Sequence, residues 1–137
     1  MSDMVERMTS KEYRDMVASK GRRRGNPTRG PNRTEQAFGQ WRSHQEGVQE
    51  LQFKAIKFRI GSLGSRCWYE VDWFETNITA AGFELICWDV KARGKDGKPR
   101  IEDDALVKIK AAEKEYMMFR FALAWPDGRG GWETRWF

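Results

Sequence analysis

Two stretches in the middle of the chain, RCWYEVDWFE (66–75) and FELICWDVKA (83–92), are rich in aromatic and other apolar residues, and the link between them, TNITAAG, is small and polar. Such composition favours extended chain, and so short a link leaves little choice but a neighbouring strand. Upstream, ELQFKAIKFRI (50–60) alternates Ile56, Phe58 and Ile60 with Lys57 and Arg59, the period of a half-buried strand, and GSLGS follows as a turn. Three strands in sequence are most easily a meander. After them IEDDALVKIKAAEKEYMMF has acids in its first turn and an apolar stripe of Leu106, Ile109, Ala112 and Tyr116, which predicts a helix. A fourth strand places Phe119, Phe121, Leu123 and Trp125 on one face, and a PDGRGG turn leads into a fifth, GWETRWF. The intervening helix permits a crossover to parallel pairing between the third and fourth strands. Ahead of all these, NRTE sets an N-cap candidate, Asn32, three residues before Glu35, and a helix runs through Ala37, Phe38 and Trp41 towards Gln45, with Gly47 as its stop. The expected fold is α/β (α+β), a mixed central sheet of about five strands flanked by helices.

With 137 residues, one core is the working expectation. Seven Trp and eight Phe suffice to fill it, while a charged fraction of 33% and a mean hydropathy of -0.79 point to a soluble protein. No apolar run approaches a membrane span. The opening MSDMVERMTSKEYRDM mixes acids with bases and resembles neither a secretory signal nor a transit peptide, so a cytoplasmic location is expected.

The net charge of +5 resides entirely in residues 1–33, and the remainder is balanced. Within that arm KGRRRGNPTRGPNR, from Lys20 to Arg33, carries bases and no acid, spaced by Gly and Pro that resist regular structure. Residues 1–31 therefore read as a basic arm, containing a short helix over Ser10–Ala18, and residues 32–137 as the ordered domain. Arg22, Arg23, Arg24, Arg29 and Arg33 are candidates for contacts to a nucleic-acid backbone, where neutralising phosphates releases condensed counterions. A solvated tail that aids solubility explains the same charges.

Cys67 and Cys87 fall in two strands that can lie side by side, which leaves a disulfide open on geometry, although a reducing compartment favours buried thiols. His44 is the single histidine and stands in a polar helical stretch, too little for a His-rich zinc site. Any catalysis rests on carboxylates and lysines. Because side chains alternate along a strand, Asp89 and Lys91 point to one face, and Asp72 on the neighbouring strand reaches the same place. Two carboxylates, the carbonyl of Val90 and an amine suit phosphodiester hydrolysis: hard oxygen ligands for Mg²⁺, with an ammonium for the nucleophile or the developing charge. A D-x-K triplet alone is a weak signal. Its context is stronger, since Asp89 ends the apolar run FELICW, where an unpartnered charge would be costly.

With VD at Val71–Asp72 and DVK at Asp89–Val90–Lys91, the chain resembles the PD-(D/E)xK nuclease superfamily, whose signature is an acid ending one strand and an acid, any residue and a lysine on the next. NRTE, KAIKFRI, EDDALVKIKAAEKEY and FRFALA are similar to an uncharacterised phage and prophage branch of that superfamily, so the likeness spans roughly residues 32–125. It implies a Mg²⁺-dependent endonuclease, with Mn²⁺ as a substitute, in which Asp72, Asp89 and the Val90 carbonyl hold the metal and Lys91 serves the chemistry. It also implies that Glu35 joins the site; by residue pattern alone Glu35 is equally a capping-box residue. Three positions depart from the usual pattern: Val71 stands where Pro is common, Asp89 where Glu is common and Ala92 where Gly is common.

Arg93, Lys95 and Lys98 in the loop RGKDGKPR, with Lys108 on the second helix, are expected to approach phosphates, whereas Lys110 reads as a solvated face. Glu70 is a substitute ligand for Asp72, and Trp68 or Trp73 are candidates to stack on bases. By analogy with Holliday-junction resolvases of the superfamily, branched DNA and a homodimer are the implied partners. A non-catalytic basic DNA-binding accessory protein with the same fold is the competing expectation.

Overall fold

Asn32 opens the first helix, α1 (Arg33–Ser43), through a reciprocal capping box: its side chain accepts from the Glu35 amide at 2.8 Å, and its own amide donates to Glu35 Oε1 at 3.0 Å. Both bonds satisfy groups that a helix start leaves unpaired. The chain then makes β1 (Val48–Phe53), β2 (Lys57–Arg59), a short 3₁₀ turn at Gly61–Leu63, β3 (Trp68–Glu70), β4 (Trp73–Thr79) and β5 (Gly82–Val90). Helix α2 (Asp103–Glu115), β6 (Phe119–Pro126) and β7 (Trp132–Trp136) complete it. The structure is a computed structural model and describes residues 10–11 and 30–137. Two units are distinguished, Met1–Gly30 and Pro31–Phe137. Of the helix expected over Ser10–Ala18, Ser10 and Lys11 are helical and the rest lies outside the described residues.

The main sheet is five-stranded and mixed, in the order β1-β4-β5-β6-β7. Its one parallel pair is β5 with β6, joined through α2, and its other neighbours are antiparallel. This is the expected mixed sheet, but two strands read as continuous are broken. Residues 50–60 divide at Lys54, whose φ of 48° turns the chain out of the sheet after β1. Residues 66–75 divide at Val71–Asp72. The outer pieces, β2 and β3, pair with each other as a separate hairpin. Alternation continues through the second bend, in Cys67, Tyr69, Val71 and Trp73, whereas at the first it slips by one residue between Leu51 and Phe53 on one side and Ile56, Phe58 and Ile60 on the other.

Both faces of the sheet are covered. On one, Phe38 of α1 packs with Ile86, Trp88, Val90, Ala122 and Ala124, all at most 7% exposed. On the other, Ile109 and Ala112 of α2 and Phe58, Tyr69 and Val71 from the β2–β3 hairpin region pack with Cys87, Phe121 and Leu123. Alternate residues of β5 and β6 thus serve opposite cores, as two-sided strands require. Cys87 is buried, Cys67 is partly exposed, and both thiols are free. Among the described residues, no helix is long and apolar enough to cross a membrane.

Candidate functional site

The carboxyl end of the parallel pair, a usual ligand position in sheets of this kind, gathers the acids. Asp89 lies on the α2 side of β5, 5% exposed. Its Oδ2 accepts from the hydroxyl of Tyr69 at 2.8 Å. Its Oδ1 lies 3.0 Å from Lys91 Nζ, an ionic contact without a directed hydrogen bond, and is itself sealed from solvent. Lys91 follows the end of β5, its amide donating to the Ala124 carbonyl of β6 at 2.9 Å.

Asp72 was expected within a continuous strand over 66–75 but sits in the bend between β3 and β4. Its position is nevertheless fixed by backbone bonds: its amide donates to the Trp88 carbonyl at 3.0 Å and its carbonyl accepts from the Lys54 amide at 2.8 Å. The first of these goes to the residue that already opposes Trp73, a bulge-like bond at the end of the β4–β5 ladder that keeps Asp72 against the end of β5. Its Oδ2 accepts from the Val90 amide at 2.7 Å.

Burial, then the charge of Asp89, pushes the Asp72 carboxyl up to about 8, against the Val90 hydrogen bond; the Glu35 carboxylate adds to the rise. Glu35 thus closes the capping box while its charge also acts on Asp72. For Lys91, burial opposes the charge but Asp89 and Asp72 outweigh it, and the ammonium is held above its ordinary range. Tyr69 is raised well above 10 by burial and by Asp89, so it remains a phenol and a donor.

Other assigned residues divide. Glu70 turns away to Lys54 at 3.9 Å and is exposed. The Trp73 indole donates to the Glu35 carbonyl at 3.0 Å and packs under α1, a structural position. Trp68 is 45% exposed with Lys57 over its ring. Lys108 lines a shallow depression with Arg66 and Trp68. Arg33, Arg93, Lys95 and Lys98 are exposed, and the Arg93 guanidinium lies against Gly97 and Gly128. Arg22, Arg23, Arg24 and Arg29 lie outside the described residues.

Tyr69 was missed by sequence reasoning. Its only signal was that a tyrosine expected in a core needs an acceptor for its hydroxyl. Glu75 was missed as well. It is fully buried and bound by Arg42 at 2.6 and 3.0 Å, Asn77 at 2.7 Å and Trp88 at 2.8 Å, a structural ion pair beneath the site.

Among the described residues, no group of three or more His, Cys, Asp or Glu side chains could hold a metal by itself. Asp72, Asp89 and the Val90 carbonyl suit Mg²⁺ nevertheless, because that ion takes one or two carboxylates and fills its sphere with water and substrate phosphate. The sealed Asp89 Oδ1 and the elevated Asp72 carboxyl are the features of an acid pair that a cation would relieve. No family model matches the chain, nor does any curated protein or solved structure.

Proposed function

We propose that the protein is a Mg²⁺-dependent endonuclease that hydrolyses DNA phosphodiester bonds, of the PD-(D/E)xK type. The observation that carries this reading is the gathering at one sheet end of Asp89, of Asp72 bound to the next residue's amide at 2.7 Å, and of Lys91 3.0 Å from Asp89. When bound by these two carboxylates and the Val90 carbonyl, Mg²⁺ supplies Lewis-acid polarisation of the phosphate and of an attacking water. The chain's own residues do the rest. The Val90 amide fixes one oxygen of Asp72 and Tyr69 fixes one of Asp89, so both side chains are held in place before substrate arrives. Lys91, kept as an ammonium, orients the water and balances charge on the non-bridging phosphate oxygens as one P–O bond forms and the other breaks to the leaving sugar oxygen. Glu35 adds a carboxylate on the α1 side. Exposed Arg33, Arg93, Lys95 and Lys98, with the arginines of the amino-terminal segment, grip backbone phosphates and carry little sequence information. A branched substrate and a homodimer remain part of the proposal through the resemblance alone.

Purified protein incubated with linear, nicked and four-way-junction DNA should cut in Mg²⁺ or Mn²⁺ and not in EDTA. Asp72→Asn and Lys91→Ala should each reduce the rate by roughly a hundred-fold or more. Variants that cut as well as the parent would place the chemistry elsewhere.

The second reading, a DNA-binding accessory protein without turnover, is favoured by one observation: Tyr69, Lys91 and the Val90 amide already give the acids partners within the protein. A salt-sensitive complex with no cleavage in any metal would select it. In either case replacing Arg22, Arg23, Arg24 and Arg29 by Ala should flatten the salt dependence, the logarithmic slope falling by roughly 0.9 for each phosphate left unneutralised.

A further inference from the structure

A groove of about 400 Å³ opens between α1 and the β6–β7 turn, lined by Arg33, Ala37 and Trp41 from the helix and by Pro126, Gly130 and Trp132 from the turn. Each of its walls leads, along the chain, to a residue of the site. Ala37 is two residues from Glu35 on α1, and Pro126 is two residues beyond Ala124, the acceptor of the Lys91 amide.

Two indoles form its apolar wall. The Trp41 and Trp132 ring centroids are 6.3 Å apart with planes inclined at 34°. Both rest on Phe38, which is completely buried, at 5.8 and 5.3 Å, and Phe38 rests in turn on Trp88. The wall is therefore anchored in the core but is itself only partly buried. The indoles of Trp73, Trp88 and Trp125 donate to Glu35, Glu75 and Gly97, whereas those of Trp41 and Trp132 donate to no described residue. Arg33 lines the helix side, Arg129 is exposed on the turn between the lining residues Gly128 and Gly130, and Glu133 is exposed after Trp132. The guanidinium of Arg93 lies where a side chain on Gly128 would go, a Cβ there standing 2.9 Å from Nη1. The nearby acid, Asp127, is spent on the turn itself, accepting from the amides of Arg129 at 2.7 Å and Gly131 at 2.9 Å.

Flat aromatic faces with Arg33 at the groove and Arg129 and Arg93 on or against the adjoining turn match a flat base carried on a phosphate chain. Intact duplex keeps its bases stacked on one another and offers this wall nothing apolar, while an unpaired base can leave the stack and lie on an indole. We propose that the Trp41–Trp132 groove holds an unpaired nucleobase of the DNA, so that the substrate class is DNA with an interrupted duplex: a single strand, a flap or a branch point. Base binding follows from the groove alone; the consequence for cleavage rests on the nuclease reading.

The full-length protein in EDTA, titrated with labelled oligothymidylate and with blunt duplex of equal length, tests the two separately. The single strand should bind at least about ten-fold tighter. Trp132→Leu should weaken single-strand binding by between about five-fold and a hundred-fold, the range for removing one base stack, and leave duplex binding unchanged; Trp132→Phe should keep most of the preference. Equal binding of both DNAs by the parent, or an equal weakening on both in Trp132→Leu, overturns the groove. Should the leucine variant fail to fold by circular dichroism, tryptophan emission of the parent decides: quenching by oligothymidylate but not duplex supports the groove, and no quenching overturns it. Cleavage in Mg²⁺ is scored apart. A strand preference without cleavage retains the groove and ends the nuclease reading, and cleavage without the preference does the reverse.

Discussion

Glu75 and Asp72 are both withdrawn from water, yet Glu75 is held as a carboxylate while Asp72 is driven towards the acid form. Burial pushes Glu75 up, but hydrogen bonds from Arg42, Asn77 and Trp88 and the charge of Arg42 more than offset it, leaving its pKa below the ordinary value. A lowered carboxyl contributes stability above the unfolded pKa and loses it as pH falls through the folded value. Arg42→Ala would leave that carboxylate buried without its cation and should cost about 3–5 kcal/mol in chemical denaturation. A cost below about 1 kcal/mol would show that water or a proton replaces the arginine. Asp72 has the opposite sign. Raised from 3.8 to about 8 by burial and by Asp89, it contributes fully below pH about 4 and its contribution disappears as pH rises through about 8. The metal-free protein should therefore melt at progressively lower temperature across that window. Asp72→Asn should flatten the curve while abolishing cleavage, and Mg²⁺ should restore the parent most at the alkaline end. A melting profile in EDTA that Asp72→Asn leaves unaltered would refute this account of the acid pair.

Among the elements, α1 matters most to the site, since its first turn carries Glu35 and its inner face buries Phe38 and Gly39 against the sheet. Asn32→Ala removes one half of the capping box and should cost about 1 kcal/mol, read as a melting shift of a few degrees. At Gly39 propensity and packing disagree. Alanine is the better helix former by about 1 kcal/mol, but a Cβ there would stand 2.5 Å from Trp73 Cζ2, and that indole is tied to the Glu35 carbonyl. Packing should win: Gly39→Ala is expected to destabilise by about 1–3 kcal/mol and to lower activity by moving the chain next to Asp72. A stabilised Gly39→Ala would show that the indole has room. What was legible in the sequence follows the same division. Period-2 alternation in FRFALAW and the apolar stripe of IEDDALVKIKAAEKEY are local, and they led to β6 and α2 correctly. The bend at Val71–Asp72 was hidden because alternation continues through it, whereas the bend at Lys54 was legible as a slip of phase between Phe53 and Ile56 that reading 50–60 as one strand passed over. Asp72, Asp89 and Lys91 were visible through strand phase. Their partner Tyr69, the Arg42–Glu75 pair and the Trp41–Trp132 groove join residues distant in sequence and leave no local pattern.

At the scale of the molecule, the sheet separates two cores and the acids lie where both reach its end. Asp89 belongs to the α2 side, Glu35 to the α1 side, and Asp72 is between them. Strand β5 is common to everything: it pairs with β4 and β6, supplies Trp88 to one core and Cys87 to the other, and ends at Asp89 and Val90. Cys87 has no exposed surface, and burial pushes its thiol up to about 12, so it has neither the access nor the thiolate that alkylation requires. Cys67 is partly exposed. Iodoacetamide should therefore add one label promptly and a second far more slowly, a biphasic pattern countable by mass spectrometry. Simultaneous labelling would mean that β5 is open to solvent on the same timescale as the loop before β3. The slow label is an internal clock. It ticks once for each excursion in which the centre of the sheet exposes itself, and an ion that ties Asp72 to Asp89 two residues away should make it run late.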